Sequence, residues 1–383
     1  MATATRAEYG LLAPLLAEIR DRPALALQLI VTGAHLSEKY GHTIDAIRAD
    51  GFDIAATVEI NLDSDTRADL GGAMGACLGG FAAQLNTLAP DVLVILGDRY
   101  EMLAVAAAAT IMGVPIAHLH GGELTAGAMD DSIRHAITKL SHLHFVAAEA
   151  YRNRVIQMGE MPAHVHNVGA IGIDNIATLE PMSRSELGDS LGIDLTGPFL
   201  LVTYHPETVG DGANEGLQAM LAVLARHPDF CIVITGVNAD PGRNRVADAI
   251  ESFRRRHENR TVVAESLGQR RYLSALGLAA AVVGNSSSGI IEAPAVGTPT
   301  VNIGTRQDGR LRSASVIDCD ATEDAIEAAL SRAVAPAFRE TYAGIAPAYG
   351  VPGAARQIAD ILETAAPAAL LHKTFTDIPA ARG

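Results

Sequence analysis

Short apolar runs alternate with helix-like segments along most of the chain. The runs are continuous rather than broken at every second residue, which is typical of strands buried on both faces of a parallel sheet. A first series of strands is predicted at residues 25–32, 54–60, 92–96, 116–119, 144–147 and 165–168. A second series is predicted at residues 199–204, 231–235, 261–264, 280–283, 300–303 and 315–318.

Segments with helical periodicity lie between these runs. They are predicted at residues 9–20, 69–87, 101–112, 133–140 and 215–226. Regular alternation of strand and helix implies parallel sheets joined by right-handed crossovers. The predicted fold class is therefore α/β.

The two series of strands indicate two domains. Residues 179–198 separate the series and are rich in Ser, Gly, Pro and charge. We place the boundary near residue 172, with an N-terminal domain at 1–172 and a C-terminal domain at 173–353. A last helix at 354–371 follows the second series, and we expect it to pack back on the first domain. A chain of 383 residues is long enough for two domains of ordinary size.

Composition and charge argue against some classes of binding partner and some cellular locations. The net charge of −15 argues against binding to nucleic acid or to an anionic membrane, although a local pocket can still bind an anion. No run of about 18 apolar residues is present, so we expect no membrane span. Cys77, Cys231 and Cys319 lie far apart, which suits a reducing cytoplasm. Arg6 and Glu8 interrupt the N-terminal segment, so we expect no signal peptide and a cytoplasmic protein.

Polar clusters follow many of the predicted strands. In doubly wound sheets, ligands bind at the carboxyl ends of the strands. The clusters read TRAEYG, LGDRYE, HLHGGE, TYHPET, GVNAD, GNSSSG and GTRQDGR. Because they occur in both domains, we expect a cleft between the domains to bind the ligand.

The cluster GNSSSG is the best candidate for a phosphate site. Free N–H groups at a helix N-terminus attract anions, and the hydroxyls of residues 286–288 add donors without bulk. The alternative is a simple helix cap, since Ser and Asn are preferred there. Arg306 and Arg310 on the next loop, and His205 on an earlier one, favour a diphosphate. Glu292 suits sugar hydroxyls better than phosphate, or it is a solvent-exposed helix residue.

An acidic cluster belongs to the first domain. Asp98 and Arg99 follow a buried strand, Glu123 follows a pair of glycines, and Asp130 opens a helix. Carboxylates that face one site can have their pKa values separated, which supplies an acid and a base. The structural alternatives are a buried ion pair for Asp98 and a helix cap for Asp130.

Two histidines, His118 and His120, border the same glycines. One of them can be a core histidine, and His120 is the better candidate for the site. The histidines lack the spacing of a zinc site, so we expect no metal. GxxxxGK[ST] and GxGxxG motifs are absent, which disfavours ATP hydrolysis and a nicotinamide cofactor.

Taken together, several of these segments resemble one family. TRAEYGLL, GDRYEML, HGGELTAG, DDSIRHAITKLSHLHFV, HPET, GNSSSGIIEAP and NIGTRQDGR are similar to the hydrolysing UDP-N-acetylglucosamine 2-epimerases. The likeness covers nearly the whole chain and is nearest to the bacterial branch that supplies sialic and legionaminic acid synthesis.

The resemblance implies two Rossmann-like domains in the glycosyltransferase-B arrangement, with a UDP-sugar in the interdomain cleft. By resemblance, the residues that would bind UDP are Arg6, His205, Asn238, Ser286, Ser287, Glu292 and Arg306. Arg99 lies beside the candidate acid Asp98 and is expected to contact the substrate. Asp98 is expected to transfer one proton, and His120, Glu123 or Asp130 the other. The resemblance also implies a homodimer that needs no cofactor.

The expected reaction converts UDP-N-acetylglucosamine to N-acetylmannosamine and UDP through a 2-acetamidoglucal. Two alternatives remain open at this point. One is the same reaction on UDP-2,4-diacetamido-2,4,6-trideoxyglucose, and the other is a glycosyltransferase of the same fold. A non-catalytic sensor of nucleotide sugars is disfavoured, because a protein that only binds a diphosphate gains little from the acidic cluster.

Overall fold

The structure is a computed structural model that describes residues 1–62, 66–124, 129–205, 215–236, 243–264 and 266–377. The chain divides into two compact units. Unit 1 contains Met1–Asn175 and Pro352–Gly383, and unit 2 contains Ile176–Val351. Within the described ranges, no helix combines the length and apolar character that a bilayer span requires.

The strands are short, and most coincide with the predicted apolar runs. In the described residues they are β1 (Ala2–Thr3), β2 (Leu29–Thr32), β3 (Ile54–Val58), β4 (Leu93–Leu96), β5 (Ile116–Leu119), β6 (Leu143–Val146), β7 (Val165–Asn167), β8 (Phe199–Thr203), β9 (Cys231–Thr235), β10 (Thr261–Ala264), β11 (Ala281–Gly284), β12 (Thr300–Ile303) and β13 (Val316–Cys319).

The helices occupy the segments between them. They are α1 (Arg6–Arg20), α2 (Ile44–Ala49), α3 (Arg67–Leu88), α4 (Tyr100–Met112), α5 (Met129–Leu140), α6 (Glu149–Gln157), α7 (Asp174–Thr178), α8 (Arg184–Leu191), α9 (Glu215–Ala225), α10 (Arg243–Arg256), α11 (Gly268–Leu278), α12 (Ser287–Ala295), α13 (Glu323–Val334), α14 (Pro336–Tyr342), α15 (Ala354–Thr364) and α16 (Pro367–Leu370).

Unit 1 has the strand order of a Rossmann-like fold. Its strands form two parallel sheets, β1-β2-β3 and β4-β5-β6-β7. β1 packs beside β4, and Ala2 and Ala4 share a buried cluster with Leu93 and Ile95. The strands therefore follow the order 3-2-1-4-5-6-7. The order reverses between β1 and β4, where α/β proteins place their ligands.

Unit 2 repeats this topology in one six-stranded parallel sheet, β10-β9-β8-β11-β12-β13. Here the order reverses between β8 and β11. Gly284 ends β11 with a φ of 139°, and a Cβ at this position would lie 1.9 Å from the carbonyl oxygen of Thr203. Only glycine lets the chain pass this close to β8. The predicted class, α/β with two Rossmann-like domains, is confirmed.

Helices cover both faces of the unit 1 sheet. On one face, α1 packs against α15, and Leu12 and Leu16 share a buried cluster with Ile358. On the other face, α3 packs against α4, with Phe81 and Val105 at full burial. Helix α15 therefore belongs to the core of unit 1.

Several predicted elements are shorter in the structure, and two of them have a clear local cause. The strand expected at 25–32 forms only at Leu29–Thr32, because the N–H of Leu25 bonds to the carbonyl of Arg22 in a turn. The helix expected at 354–371 ends at Thr364, and a second short helix begins at Pro367. Proline lacks the N–H that would continue the first helix, and it is suited to the first position of a new one.

Candidate active site

Asp98 lies directly after β4, at the point where the strand order of unit 1 reverses. Gly97 has a φ of 83°, which turns the chain at the end of the strand. The Asp98 carboxylate is ion-paired with the guanidinium of Arg134, yet 27% of the side chain stays exposed. The carboxylate is thus fixed by a cation and still open to a ligand at this edge of the sheet.

Arg134, on α5, connects the acidic residues of unit 1. Its side chain is only 5% exposed. Besides Asp98, it donates to the carbonyl oxygen of Glu123 at 3.0 Å and to Asp131 at 3.4 Å. A buried guanidinium has several donors in a fixed plane, so it can fix several partners at once. Arg134 therefore brings the end of β4, the loop after β5 and the start of α5 together.

His120 and Glu123 form a hydrogen-bonded pair in the loop after β5. The Nδ1 atom of His120 lies 2.6 Å from Oε1 of Glu123. His120 has a φ of 65°, and a Cβ at Gly122 would lie 2.6 Å from the carbonyl oxygen of Tyr151. The loop thus has little room to change shape. Among the described residues, the buried Nε2 atom of His120 has no hydrogen-bond partner, and it is available to a ligand.

Asp130 is the most exposed of the predicted acids and lies in the first turn of α5. Its pKa is raised, first by partial removal from water and then by the negative charge of Asp98. Arg134 opposes this shift. Asp130 therefore keeps its proton to a higher pH than an isolated aspartate, which suits a proton donor.

Arg99 belongs to a second group of charges beside this site. Its Nε and Nη2 atoms donate to the two carboxylate oxygens of Glu101 at 3.1 and 2.7 Å. Glu101 is fully buried, whereas Arg99 is 42% exposed. The Arg99 guanidinium, which we expect to contact the substrate, is therefore ion-paired with Glu101 and still partly exposed.

Glu8 fixes the turn that carries Arg6. Its Oε2 atom accepts from the N–H groups of Ala4 and Thr5 at 2.8 and 3.1 Å, in a capping box at the start of α1. Burial raises the pKa of Glu8 to about 7, against the opposing effect of these hydrogen bonds and of Arg99. Arg6 is the first residue of α1, and its side chain is exposed.

In unit 2, Asn285 connects three loops at the switch point. Its side chain accepts from the N–H of His205 at 2.7 Å and donates to the His205 carbonyl at 2.9 Å. Its own carbonyl accepts from Arg306 Nη1 at 3.2 Å and from Gln307 at 2.9 Å. The structure therefore brings His205, Ser286 and Arg306 together around a buried amide. Asn238, the other predicted UDP-binding residue, lies outside the described residues.

The three serines have different surroundings. Ser286 is the N-cap of α12, and its hydroxyl accepts from the N–H of Ser288. The hydroxyl of Ser288 accepts from Tyr272 at 2.6 Å. Ser287 is half-buried and makes no comparable side-chain bond among the described residues. The helix-cap interpretation therefore holds for Ser286, and the phosphate site at Ser287 stays a prediction.

Glu292 is half-buried on α12 rather than exposed on its surface. Burial raises its pKa, and a hydrogen bond from Ser288 acts in the opposite direction. The same environment raises the pKa of Tyr272, first through burial and then through the charge of Glu292. Ser288 is thus hydrogen-bonded to both Tyr272 and Glu292, and the three side chains form one polar cluster at the start of α12.

The comparisons with known proteins agree on one family. The sequence model described as UDP-N-acetylglucosamine 2-epimerase matches residues 17–363. The GDP/UDP-N,N'-diacetylbacillosamine 2-epimerase (hydrolyzing) of Campylobacter jejuni is 39% identical over 83% of this chain and 83% of its own. The polysialic acid biosynthesis protein P7 of Escherichia coli is 38% identical over 85% of this chain and 83% of its own.

This chain belongs to the UDP-N-acetylglucosamine 2-epimerase family. It is therefore an enzyme of the hydrolysing UDP-sugar 2-epimerases, and the resemblance found in the sequence is confirmed. The crystal structure of UDP-GlcNAc 2-epimerase from Neisseria meningitidis bound to UDP-GlcNAc shares the fold, with a TM-score of 0.76 at 17% identity. That match covers 94% of this chain and 98% of the other.

Arg134 was not predicted to belong to the site, although its spacing from Asp130 places both residues on one helix face. His118 was expected as one possible core histidine. In the structure it is fully buried, and its Nε2 atom donates to the carbonyl of Gly97 at 2.8 Å. In the described ranges, no three His, Cys, Asp or Glu side chains are grouped as a metal ion would require.

Proposed function

We propose that this enzyme converts UDP-N-acetylglucosamine and water to N-acetylmannosamine and UDP, for synthesis of sialic acid-type sugars. The observation that carries this proposal is the constellation around Asp98. One carboxylate is paired with a buried arginine, a second belongs to the His120–Glu123 pair, and a third, Asp130, has a raised pKa. Such a set can supply both an acid and a base.

Residues of unit 2 act on the nucleotide in this proposal. The first turn of α12, with the hydroxyl of Ser287, and the guanidinium of Arg306 bind the diphosphate. Glu292 accepts from the ribose hydroxyls. His205 and Asn238 are the further UDP-binding candidates of unit 2, and Arg6 is the UDP-binding candidate of unit 1. Preorganised donors of this kind stabilise the negative charge that develops on a departing diphosphate.

Residues of unit 1 act on the sugar. The C1–O bond breaks, its electron pair leaves with UDP, and the oxocarbenium-like centre makes the C2 proton acidic. A base takes that proton, which gives 2-acetamidoglucal. Water then adds its hydroxyl to C1 while a proton is delivered to the opposite face of C2. Asp98 is one proton-transfer group. The other is Asp130 on α5, or His120 or Glu123 in the loop after β5.

A second candidate substrate is UDP-2,4-diacetamido-2,4,6-trideoxyglucose. The Campylobacter jejuni relative carries the name of an enzyme for N,N'-diacetylbacillosamine, the same type of sugar. The bonds broken and formed at C1 and C2 would be identical. Only the contacts to C4 and C6 would differ. The two candidates therefore differ in which UDP-sugar the enzyme prefers, and the mechanism is the same for both.

One incubation tests the reaction and its class. The purified protein is given UDP-N-acetylglucosamine alone in heavy water, and products are read by NMR. We expect UDP and N-acetylmannosamine with deuterium at C2. Release of UDP with hydrogen retained at C2, or release only after an acceptor is added, would instead identify a glycosyltransferase or a simple hydrolase.

The same assay with the diacetamido sugar decides the substrate. A kcat/KM for UDP-N-acetylglucosamine at least equal to that for the diacetamido sugar supports the first candidate, and the reverse order supports the second. The proposal also includes a cytoplasmic homodimer. Native mass measurement at the assay concentration tests the dimer, and a monomeric mass with full activity would contradict it.

A further inference from the structure

We propose that His118 is a positioning residue that sets the placement of Asp98 relative to the His120–Glu123 loop. This inference rests on the proposed function of these acids. His118 lies on β5 with no exposed surface, so it cannot contact a ligand directly. Its ring instead contacts each of the segments that carry the candidate acids.

The first contact is with the Asp98 turn. The Nε2 atom of His118 lies 2.8 Å from the carbonyl oxygen of Gly97, the residue before Asp98. A carbonyl oxygen only accepts, so the proton of the neutral ring must be on Nε2. Burial lowers the pKa of His118 to about 3, so the ring is neutral at neutral pH.

The second contact is with α5. The Nδ1 atom of His118 lies 3.4 Å from the hydroxyl of Thr138, which also lies 3.0 Å from the carbonyl of Arg134. Thr138 is one turn beyond Arg134, the cation paired with Asp98. His118 therefore contacts both the turn before the carboxylate and the helix that carries its counter-ion.

The third contact is with the loop after β5. A Cβ at Gly121 would lie 3.1 Å from Nδ1 of His118 and 3.1 Å from the Thr138 hydroxyl. The backbone of Gly121 thus packs directly on the ring, one residue after His120. The His118 ring thus contacts both the turn before Asp98 and the loop that carries His120 and Glu123. Because it sets the spacing of these two segments, it also sets the distance between Asp98 and the His120–Glu123 pair.

Two substitutions test this role. H118F keeps a flat ring but removes both polar contacts, and a displacement of about 1 Å in a catalytic group can lower kcat about 100-fold. H118Q retains an N–H that can reach the Gly97 carbonyl, and regaining one hydrogen bond should recover about tenfold of the loss. UDP affinity, measured by calorimetry, should be unchanged in both, since the partners of His118, Gly97 and Thr138, are not among the proposed UDP-binding residues.

His144 provides the matched control. It is also fully buried, and it pairs in register with His118 on the adjacent strand. Its ring contacts Glu160 at 3.0 Å instead of the loops of the site. H144F and H144Q should therefore lower stability by amounts comparable to the His118 variants while kcat stays near the wild-type value.

The outcomes are distinct. Equal losses of kcat in the His118 and His144 pairs, at matched stability, would overturn the positioning role, as would an H118Q variant no better than H118F. If H118F does not fold, H118Q against H144Q decides. If the wild-type protein releases no product from either UDP-sugar, the proposed function fails. Crystal structures of the wild type and of H118F, which removes the contact to Gly97, would then test the inference, which fails if Asp98 does not move relative to the His120–Glu123 loop.

Discussion

The buried guanidinium of Arg134 is paired with the carboxylate of Asp98, a residue 36 positions earlier in the chain. The same guanidinium contacts Asp131 and the carbonyl of Glu123. One cation thus balances part of the charge of several acids. The pKa of Asp130, another acid at this edge of the unit 1 sheet, is raised by partial burial and by the charge of Asp98.

Replacing Asp98 by Asn tests its role in proton transfer. The amide has the same size but cannot take a proton, so we expect kcat to fall about 10²–10⁴-fold. UDP affinity should not change, since the proposed diphosphate contacts are in unit 2. Steady-state kinetics and calorimetry with UDP measure the two effects separately.

Asp174 offers a control for the Asp98 variant. It is a buried carboxylate that accepts from the N–H groups of Gly353, Ala354 and Ala355, and none of these three partners is a candidate site residue. D174N should lower the thermal midpoint and leave kcat unaffected. A D98N variant that keeps full turnover, or that loses UDP binding together with turnover, would assign Asp98 to structure.

Substitutions at Ser286 and Ser287 distinguish a helix cap from a residue that binds the ligand. S287A should weaken UDP binding by about 1.5–3 kcal/mol, the value of a hydrogen bond to a charged group, with little change in stability. S286A should instead cost about 1 kcal/mol of stability through loss of the N-cap. Calorimetry with UDP and denaturant unfolding compare the two variants. Equal effects of both on UDP affinity would remove the distinction.

Local pattern was enough for most of the fold. The runs at 116–119 and 300–303 form strands with the predicted ends, and all four residues of each strand are buried, as expected in a parallel sheet covered on both faces. The run at 25–32 was longer than its strand, since a turn bond between Leu25 and Arg22 competes for its first residues. A backbone hydrogen bond of this kind cannot be predicted from the hydrophobic pattern of the sequence.

The site was predictable only in part. Asp98 and Ser287 follow strands, so their place at a sheet edge could be read from the sequence. The contacts of Arg134 with Asp98, and of His118 with Gly97, join residues 36 and 21 positions apart. Local periodicity does not encode these pairs. They require the order of β1, β4 and β5 in the sheet, which depends on the packing of the whole unit.

Glu8 should make stability fall as pH rises from acid to neutral. Its folded-state pKa of about 7 exceeds the ordinary value of 4.5, so the folded state binds its proton more tightly than the unfolded state. Stability is therefore lost between pH 4.5 and 7 and stays low above that range. E8Q keeps a neutral acceptor for Ala4 and Thr5. It should raise stability at pH 8 by up to about 3 kcal/mol and have little effect at pH 4.

Glu186 is the matched control, because it occupies the same position in the capping box of α8 but is exposed. Hydrogen bonds from Ser183 lower its pKa, so its effect on stability has the opposite sign. Urea unfolding of E8Q and E186Q at pH 4 and pH 8 compares them. If E8Q gains no stability at pH 8, the pKa of Glu8 is not raised in the folded protein.

Glu160 should stabilise unit 1 in the opposite pH range. Its carboxylate, only 2% exposed, contacts Lys139 at 2.5 Å, Lys373 at 2.8 Å and His144 at 3.0 Å. Although burial alone would raise it, these three partners lower the pKa of Glu160 to about 2. The stabilisation is fully present above pH 4.5 and is lost as the pH falls towards 2. E160Q should therefore cost about 3 kcal/mol at pH 7, and the loss should shrink steadily below pH 4.5.

The same substitution should release the C-terminal segment at residues 373–376. Lys373 also donates to the carbonyls of Lys139 and Ser141, and the N–H of Thr376 bonds to Gly159. With Glu160 neutral, the Lys373 ammonium is left without a counter-ion and should leave the surface of unit 1. Hydrogen exchange at Thr376 should accelerate in E160Q but not in E149Q, whose exposed glutamate pairs only at the surface. Protection of Thr376 that survives in E160Q would show that this segment is bound by its backbone contacts alone.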